Sequence, residues 1–568
     1  MADTSYESAK ALDDAYVMRT YGRLPVEFVS GEGATLADST GKTYIDCLGG
    51  IGAVSLGHRN PVVAAALHEQ VDKVWQVGNY YYVENRGELA RDLSELLSSA
   101  CDEEGHVIGS TGSAWKTFFA NSGAEANEGA IKVARRWGEK KLGGATGILT
   151  AQKSFHGRTL ATLAATGQDV FHKAFLPMPA GFDAVPLNDA DALVAALDNP
   201  PASCGPVCAV MLECVQGEGG VWPADYDYLR FVSAECKKRG VLLVIDEVQT
   251  GFFRCGAPFS YQLAGIEPDV VSMAKGIADG FPMGAVSATA EVADLMGPGD
   301  HGSTFGGNAL AAAAGRATVE ALVSQKVGEH VIACGAHLRQ RLEALPHVTE
   351  VRGHGLMLGA QLDVPVATEL VNEGLEVGLA LNHIGDFILR FLPPLVITEG
   401  QVDEGGRQAR RALGVRVTGF LRQHRHHRRH RRRKACYVAD DVKMTSPAIK
   451  SRRRGSFDAK RNNSALPATC TGVTYTLKTP APVSNSFSRS SSSRNACLCS
   501  RGRRRFSLHV LLVLRVTFLA TSSSSRASDS WRYVTKSVSS PIWASAFCLV
   551  TSSGTCHWCG KRPLYSSP

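Results

Sequence analysis

The stretch Asp269-Val-Val-Ser-Met-Ala-Lys275-Gly276 places one lysine at the end of a short apolar run, directly before a glycine. Earlier in the chain a second apolar run, Val241-Leu-Leu-Val-Ile-Asp246-Glu247, ends in an aspartate. Both runs have the length and the aliphatic composition of buried strands. Because the C-terminal ends of parallel strands meet at one edge of a sheet, we expect Lys275 and Asp246 to lie close together.

Strand-like and helix-like segments alternate around these two runs. Strands are predicted at 116–120, 147–151 and 207–213, and helices at 124–137 and 227–238. Strands that are apolar on both faces and alternate with helices are typical of a parallel sheet covered by helices. The predicted fold class is therefore α/β, with a mainly parallel central sheet. Active sites of such sheets lie beyond the C-terminal strand ends, which here carry Asn121, Glu213, Asp246 and Lys275.

The chain is predicted to divide into four parts. Residues 1–60, which include a hairpin, are expected to join a smaller domain, and residues 61–306 to form a large domain. Residues 307–415 are expected to form the rest of the smaller α+β domain, and residues 416–568 a separate basic tail. In the smaller domain the sequence predicts a helix at 308–323 and strand-like pieces at 351–359 and 387–392.

The charge of the chain is split between its two ends. Residues 416–568 hold 29 basic and 4 acidic residues, so their net charge is +25, whereas residues 1–415 carry −18. The tail is rich in serine and arginine, and such a composition buries too little apolar surface to offset the entropy of ordering. We expect the tail to be disordered, and the abrupt loss of glutamate suggests the product of a frameshift or of readthrough.

The basic tail also allows a different class of function, namely RNA binding. Its histidine–arginine run at 422–434 suits phosphate. However, the tail lacks a recognisable binding module, and its aromatic residues do not recur among the basic ones. Nucleic acid is therefore the less favoured partner. No metal site is predicted, because Cys556-His-Trp-Cys559 fits no standard zinc spacing, and no apolar run is long enough to span a membrane.

Eight of the fifteen cysteines fall in residues 1–415 without paired spacing. This pattern favours reduced thiols over a disulfide framework. The N-terminus also lacks the basic start and apolar stretch of a secretion signal. A cytoplasmic location is therefore expected.

An amine and a carboxylate at neighbouring strand ends suit pyridoxal phosphate. The amine of Lys275 would form an imine with the cofactor aldehyde, and the carboxylate of Asp246 would hold the pyridine nitrogen protonated. The alternative interpretations are a surface lysine after a strand and an aspartate that caps the next helix. Gln249, shortly after Asp246, could reach the phenolic oxygen of the ring.

Two strand–turn segments could hold the rest of such a cofactor. In Phe118-Phe-Ala-Asn-Ser-Gly-Ala-Glu-Ala-Asn-Glu128, the small residues Ser122, Gly123 and Ala124 let backbone N–H groups close on a phosphate. In Ser154-Phe-His-Gly-Arg158, Phe155 could stack on a planar ring and Arg158 could bind a carboxylate. Ordinary core packing explains each segment equally well when it is taken alone.

Three later features could bind substrate or phosphate. Glu218 lies in a flexible glycine loop, Gly217-Glu-Gly-Gly220, and Arg390 lies among strand-like hydrophobic residues. The glycine-rich loop 301–308 carries the hydroxyls of Ser303 and Thr304. The alternatives are an ordinary turn for Glu218 and a strand-edge arginine for Arg390.

As an ordered set, these motifs resemble those of the class III (ω-) aminotransferases, which are pyridoxal-phosphate enzymes of fold type I. The resemblance runs from about residue 18 to 413 and includes Asp246-Glu-Val-Gln-Thr-Gly, Ala274-Lys-Gly and Leu389-Arg-Phe-Leu-Pro-Pro. Within the family it is greatest to enzymes that act on N2-acetyl-L-ornithine and 2-oxoglutarate in arginine biosynthesis. It leaves open an ω-aminotransferase for ornithine, 4-aminobutyrate or succinyldiaminopimelate.

The resemblance implies a role for each matching position. Lys275 would carry the cofactor and Asp246 would pair with the pyridine nitrogen. The other cofactor contacts would come from Ser122, Gly123, Ala124, Phe155, Glu247, Val248, Gln249 and Thr304, with Thr304 reaching across the interface of a homodimer. Substrate would contact Arg158 and Ser303, while Arg390 would pair with Glu218 at rest and bind the second carboxylate of glutamate when Glu218 moves away.

The sequence departs from the family at several positions. Phe253 stands where a glycine is usual, Cys255 follows in the same loop, Cys214 stands where proline is common, and Asp279 interrupts a glycine-rich loop after the lysine. If the glycine replaced by Phe253 has a positive φ, this loop is strained.

Overall fold

The computed structural model describes residues 4–418, 548–550 and 556–558. Residues 4–418 belong to one compact unit. The predicted boundaries at 60 and 306 therefore stay predictions.

The strands of this unit are, in chain order, β1 (Phe28–Glu32), β2 (Thr35–Asp38), β3 (Thr43–Asp46), β4 (Ser99–Cys101), β5 (Val107–Ser110), β6 (Trp115–Ala120), β7 (Gly147–Ala151), β8 (Phe182–Val185), β9 (Val207–Leu212), β10 (Val215–Gln216), β11 (Trp222–Pro223), β12 (Leu242–Asp246), β13 (Val270–Met273), β14 (Gly284–Thr289), β15 (Val348–His354), β16 (Met357–Leu362), β17 (Leu379–Ala380), β18 (Asn382–Ile384) and β19 (Ile388–Phe391).

The helices are α1 (Thr4–Tyr16), α2 (Gly49–Gly52), α3 (Pro61–Val71), α4 (Arg86–Leu97), α5 (Gly123–Lys141), α6 (Leu160–Ala165), α7 (Ala190–Asp198), α8 (Tyr226–Arg239), α9 (Ala290–Ala293), α10 (Ala309–Ser324), α11 (Val327–Glu343) and α12 (Ala367–Val377). A further helix begins at 399 and is described through 418. Short 3₁₀ turns lie at Asp169–Phe171, Ser260–Ala264 and Lys275–Ala278.

The largest sheet of the described residues has seven strands in the order β6-β14-β13-β12-β9-β7-β8. The pairs β12–β13, β12–β9, β7–β9 and β7–β8 are parallel, and only β14 runs antiparallel to its neighbours in this sheet. This confirms the predicted mainly parallel α/β fold. The antiparallel β14 was not predicted.

Strands β12 and β13 decide where the two key residues lie. Every residue of both strands is buried, as expected for strands covered on both faces. Asp246, the last residue of β12, is paired in register with Ser272 on β13, and Lys275 lies just beyond the end of β13. The register therefore brings the carboxylate and the amine to the same edge of the sheet.

This unit also has two four-stranded sheets, in addition to the two-stranded sheets β4-β5 and β10-β11. One joins β1-β2-β3 from the N-terminal segment to β17, and the other has the order β15-β16-β19-β18. The piece predicted as strand-like at 351–359 is a hairpin, because β15 and β16 pair antiparallel around a turn at Gly355. Gly355 has a φ of 51°, a left-handed conformation that glycine adopts readily and that the turn requires.

The second unit contains strands β20 (Cys548–Val550) and β21 (Cys556–Trp558), which pair antiparallel with Leu549 opposite His557. The remainder of the tail, to which the predictions of disorder and of aberrant translation apply, lies outside the described residues. Among the described helices, none has the length and apolar character needed to cross a membrane.

Candidate active site

A cavity of about 370 Å³ opens at the C-terminal edge of the central sheet. Most of the residues singled out from the sequence line it. These are Ser122, Gly123, Ala124, Phe155, Arg158, Glu218, Asp246, Val248, Gln249 and Lys275. The wall also includes Ala53, Asn127, His156, Glu213 and Gly280, for which the sequence suggested no role in binding.

Lys275 begins the 3₁₀ turn Lys275–Ala278 and has a φ of 48°. A residue other than glycine costs about 1–3 kcal/mol in this conformation, so surrounding packing must hold it. The side chain is partly accessible because its amine opens onto the cavity. Burial by the surrounding protein lowers the pKa of this amine, and the charges of Asp246 and Glu218 oppose the shift. The neutral amine that nucleophilic attack requires is therefore favoured.

Asp246 is buried and satisfied by three donors. Its Oδ2 accepts hydrogen bonds from Asn127 Nδ2 at 2.7 Å and lies 2.8 Å from His156 Nδ1, and its Oδ1 accepts one from the Val248 amide at 3.0 Å. Burial alone would lower the pKa of His156, but the hydrogen bond and charge of Asp246 raise it above its ordinary value. The carboxylate is thus held in a fixed orientation at the cavity wall.

Asn127 and His156 are functional neighbours that sequence reasoning missed. Both stand inside quoted motifs, and a buried carboxylate requires donors. That requirement is the signal that could have found them. Asn127 Oδ1, His156 Nε2 and Gln249 Oε1 are buried without a hydrogen-bond partner among the described residues.

Ser122, Gly123 and Ala124 form the start of the 19-residue helix α5. Ser122 is the N-cap and its Oγ accepts the Glu125 amide at 3.2 Å. A side chain at Gly123 would meet Val248 Cγ1 at 2.6 Å, so only glycine fits there. Because the first N–H groups of a helix have no partner within it, this end of the cavity favours an anion.

Arg158 lies between two aromatic rings. Its guanidinium is 5.2 Å from the ring centroid of Phe155 and 3.9 Å from that of Phe171. The Phe155 amide donates to Glu213 Oε2 at 2.9 Å, and burial raises the pKa of Glu213 to about 8. Glu213 is therefore a neutral acid at pH 7 and adds no negative charge beside Asp246.

Glu218, which lines the cavity, forms an ion pair with Arg390, which lies outside the lining, and this pair is the one that the resemblance implied for the resting state. Gln249 Nε2 also donates to Glu218 Oε1 at 3.4 Å, and Arg390 Nε donates to Asn382 Oδ1 at 2.8 Å. Burial alone would raise the pKa of Glu218, but the charge and hydrogen bond of Arg390 bring it below its usual value. The Arg390 side chain is 4 % exposed and that of Glu218 is 32 % exposed, so Glu218 is the freer partner.

Glu247 does not line the cavity, and the cofactor contact predicted for it stays a prediction. Its carboxylate accepts hydrogen bonds from Thr250 Oγ1 at 2.5 Å, Ser260 Oγ at 2.7 Å and the Tyr261 amide at 3.0 Å. The side chain is fully buried. Because consecutive residues at a strand end point in opposite directions, Glu247 faces the core when Asp246 faces the cavity.

Ser303 and Thr304 also lie outside the cavity lining of a single chain. Ser303 Oγ accepts a hydrogen bond from Asn121 Nδ2 at 3.1 Å, and Asn121 lines the cavity. Thr304 is exposed, and its carbonyl accepts a hydrogen bond from Gln76. Neither position therefore contacts the cavity directly within one chain.

The loop in which Phe253 replaces a glycine is strained as predicted. Phe252 and Phe253 have φ values of 57° and 65°. Both rings are buried, and a side chain at Gly328 would meet Phe253 Cδ1 at 2.8 Å. Packing thus compensates a backbone conformation that these aromatic residues rarely adopt.

The chain is similar in sequence to known aminotransferases. Residues 16–413 match the family model described as aminotransferase class-III. The chain is 44% identical over 394 residues to an acetylornithine aminotransferase of Caldanaerobacter subterraneus, covering 68% of this chain and 95% of that protein. It is 41% identical over 417 residues to one from Synechocystis, covering 71% and 93%.

Solved structures give the same assignment. The ornithine aminotransferase of Toxoplasma gondii superposes with a TM-score of 0.66 at 29% identity, covering 73% of this chain and 96% of that one. The N-acetylornithine aminotransferase of Stenotrophomonas maltophilia superposes with a TM-score of 0.59 at 33% identity, covering 72% and 99%. With a lysine and an aspartate on one cavity of a mainly parallel sheet, this chain belongs to the class III aminotransferase family.

Proposed function

We propose that this protein transfers an amino group from N2-acetyl-L-ornithine to 2-oxoglutarate, giving N-acetyl-L-glutamate 5-semialdehyde and L-glutamate. The observation that carries the proposal is that Lys275 and Asp246 line one cavity together with Arg158 and Glu218. The names of the relatives and of the Stenotrophomonas neighbour support the acetylated donor. The same reaction belongs to arginine biosynthesis.

The cavity fits pyridoxal phosphate, the cofactor of this family. The unpaired N–H groups at the start of α5 suit its phosphate, and the close approach of Gly123 to Val248 leaves no side chain in the way. Asp246 supplies a fixed carboxylate for the pyridine nitrogen. Gln249 could contact the phenolic oxygen, and Phe155 and Val248 line the cavity where they would contact the ring.

When bound, the cofactor supplies an electron sink that stabilises negative charge on the reacting carbon of the substrate. Lys275 would hold the cofactor at rest, and its lowered pKa would let the amine take and return a proton as general acid–base during the reaction. Asp246 would present its carboxylate to the pyridine nitrogen in a fixed orientation, because Asn127 and His156 hold it. The neutral acid of Glu213 avoids a second charge at the same wall.

Substrate carboxylates would be bound by two arginines in different ways. Arg158 faces the cavity and is supported by two aromatic rings, so it would bind the α-carboxylate that both substrates share. Arg390 is neutralised by Glu218 at rest, which suits the uncharged acetylated arm. When Glu218 moves away, Arg390 would bind the second carboxylate of glutamate or 2-oxoglutarate.

A panel of amino donors tests the substrate. The full chain, loaded with pyridoxal phosphate, is offered N2-acetylornithine, ornithine, 4-aminobutyrate and succinyldiaminopimelate with 2-oxoglutarate. We expect the highest kcat/KM with N2-acetylornithine. Ornithine is the main competitor because structural neighbours are named ornithine aminotransferases. A higher kcat/KM with any other donor contradicts the proposed substrate.

We also propose a homodimer with the active site at its interface. Trp75 and the run Tyr80–Tyr82 are exposed, with Tyr80 97% and Tyr82 102% accessible, and Phe305 beside Thr304 is 60% exposed. Asn79 on the same segment donates to the Ser303 carbonyl at 2.8 Å, which places this aromatic surface next to the loop of Ser303 and Thr304. A second copy would cover the rings and bring Thr304 to the partner's cavity. Sedimentation of a monomer at micromolar concentration contradicts the dimer.

For residues 416–568 we propose that the sequence is not a selected domain. The family match ends at residue 413, next to the point where the net charge changes sign. Mass spectrometry of the protein from its natural source should find no peptides beyond residue 440. Salt-sensitive RNA binding that is lost on truncation at 415 would instead support the nucleic-acid alternative. The eight cysteines between Cys47 and Cys334 are free, which agrees with the cytoplasm as the proposed compartment.

A further inference from the structure

Asp279 ends the turn that carries Lys275. It follows the 3₁₀ helix Lys275–Ala278 and has φ 47° and ψ 47°, a left-handed conformation. Aspartate tolerates this conformation better than most residues, and the family pattern at this place is rich in glycine. A backbone requirement alone would favour glycine, so the carboxylate needs a separate explanation.

The carboxylate of Asp279 binds a distant segment of the chain. Its Oδ1 accepts a hydrogen bond from the Leu56 amide at 2.7 Å. Burial raises the pKa of Asp279 to about 6, while the Leu56 amide and the charge of His58 oppose this shift. A hydrogen bond from an N–H group to an ionised carboxylate is of the strong, charge-assisted kind.

The segment around Ser55 packs directly on the Lys275 turn. A side chain at Gly276 would meet Ser55 Oγ at 2.6 Å and Phe252 Cβ at 3.2 Å, so the turn is held between these two residues. The Ser55 carbonyl accepts the Leu395 amide at 2.8 Å. The segment 53–58 therefore connects the Lys275 turn to the chain that follows Arg390.

The same contact forms part of the cavity wall. Ala53 and Gly280 both line the cavity. Ala53 precedes the bound Leu56 in the chain, and Gly280 directly follows Asp279. A side chain at Gly280 would meet Val54 Cγ2 at 3.4 Å, so the two segments are in contact there. Movement of one segment relative to the other would displace the amine of Lys275 and the wall facing it.

We propose that Asp279 is a positioning residue, which fixes the turn of Lys275 by binding the backbone amide of Leu56 in the segment 53–58. The inference rests on the proposed role of Lys275 as the cofactor-bearing residue. The family pattern at this place is a glycine-rich loop. A glycine would supply the left-handed backbone conformation but no hydrogen-bond acceptor, whereas Asp279 supplies both.

The test compares Asp279→Gly with Asp279→Asn in the full chain. Glycine keeps the left-handed backbone and removes the acceptor, whereas asparagine tolerates the backbone and keeps one acceptor oxygen. Lys326→Gly is the control, because Lys326 is exposed, has a φ of 53° and lies far along the chain at the start of α11. The readouts are kcat, hydrogen exchange of the peptide 53–58 without cofactor, and the absorbance titration of the lysine-bound cofactor.

We expect Asp279→Gly to lower kcat by about tenfold, less than the 10²-fold that a 1 Å misplacement can cost. Exchange of the peptide 53–58 should accelerate, and the pKa of the lysine-bound cofactor should shift. Asp279→Asn should keep at least about half of the wild-type kcat, a change below 0.5 kcal/mol in the barrier. Lys326→Gly should match wild type in all three readouts.

Two results would overturn the positioning role. In the first, Asp279→Gly loses thermal stability but keeps the wild-type kcat and absorbance titration. In the second, Asp279→Asn is impaired as strongly as Asp279→Gly. If wild type itself forms no absorbing linkage at Lys275, the proposed function fails instead, and the exchange experiment still reports on the contact between Asp279 and Leu56.

Discussion

Lys275 and Asp246 lie at the ends of neighbouring buried strands, whereas Arg158 and Glu218 lie on loops and are partly or largely exposed. Three donors hold Asp246, while a single ion pair and one long hydrogen bond hold Glu218. The sheet thus fixes the two groups that we propose to serve both half-reactions. The loops hold the groups that we propose to distinguish the two substrates.

The largest expected effect comes from the strand side. Lys275→Ala should lower kcat by about 10⁴-fold, the upper range for loss of a general acid–base group. Steady-state assays with N2-acetylornithine and 2-oxoglutarate measure it. Lys140→Ala is the control, because Lys140 lies at the exposed end of α5 and pairs with Glu139. Normal turnover in the Lys275→Ala protein refutes the assignment of the reactive amine.

Substitutions of the loop residues should change the kinetics less than Lys275→Ala does. Arg158→Lys replaces a planar fork by a point charge and should raise KM for both substrates by about tenfold, or 1.4 kcal/mol. Arg135→Lys is a matched control, because Arg135 also lies over an aromatic ring, 5.1 Å from the centroid of Phe182, away from the cavity. An unchanged KM for both substrates removes Arg158 from carboxylate binding.

Glu218→Gln separates the two half-reactions. The change leaves Arg390 buried without its counter-charge, so 2-oxoglutarate should bind more tightly and the acetylated donor less tightly, each by about fivefold or 1 kcal/mol. Single-turnover titrations of each half-reaction measure the two affinities. Glu235→Gln, which breaks an ion pair with Arg239 outside the cavity, is the control. If the affinities for 2-oxoglutarate and for the acetylated donor change equally and in the same direction, Glu218 does not act as a switch between the two substrates.

The effect expected at Glu213 concerns stability and pH rather than activity. The folded pKa of Glu213 is raised to about 8 from 4.5, so the folded state binds more protons and its stability falls as the pH rises through this window. Glu213→Gln removes the ionisation. Its melting temperature relative to wild type should therefore increase between pH 6 and pH 9. If the melting temperatures of wild type and of Glu213→Gln change in parallel across this pH range, the pKa of Glu213 is not raised.

Strand patterns were sufficient to predict the part of the site that the sheet builds. Two apolar runs with polar ends placed Lys275 and Asp246 at one edge, and the structure has them there. The same patterns could not identify the antiparallel β14, because a short run such as Gly284–Thr289 carries no information about direction. The hairpin at Gly355 was also missed, since the pattern of the stretch 351–359 predicts one strand-like piece although its pairing partners lie within it.

Side-chain direction was the other limit. Glu247 directly follows Asp246 in the sequence, yet its carboxylate accepts hydrogen bonds from Ser260 and Tyr261 in the core. His156 and Asn127 reach Asp246 from segments that are distant in sequence. The contact predicted for Thr304 across a dimer interface stays a prediction, because the structure of a single chain does not show contacts between two chains.

The sequence by itself determined the family and predicted Lys275 and Asp246 as the amine and the acid of the site, because these depend on local strand patterns and on ordered motifs. Only the tertiary structure decided which groups surround them. It showed that burial lowers the pKa of Lys275, that burial keeps Glu213 neutral, and that Asp279 binds Leu56 across the chain. These properties arise from contacts between segments far apart in sequence, and local pattern carries no record of such contacts.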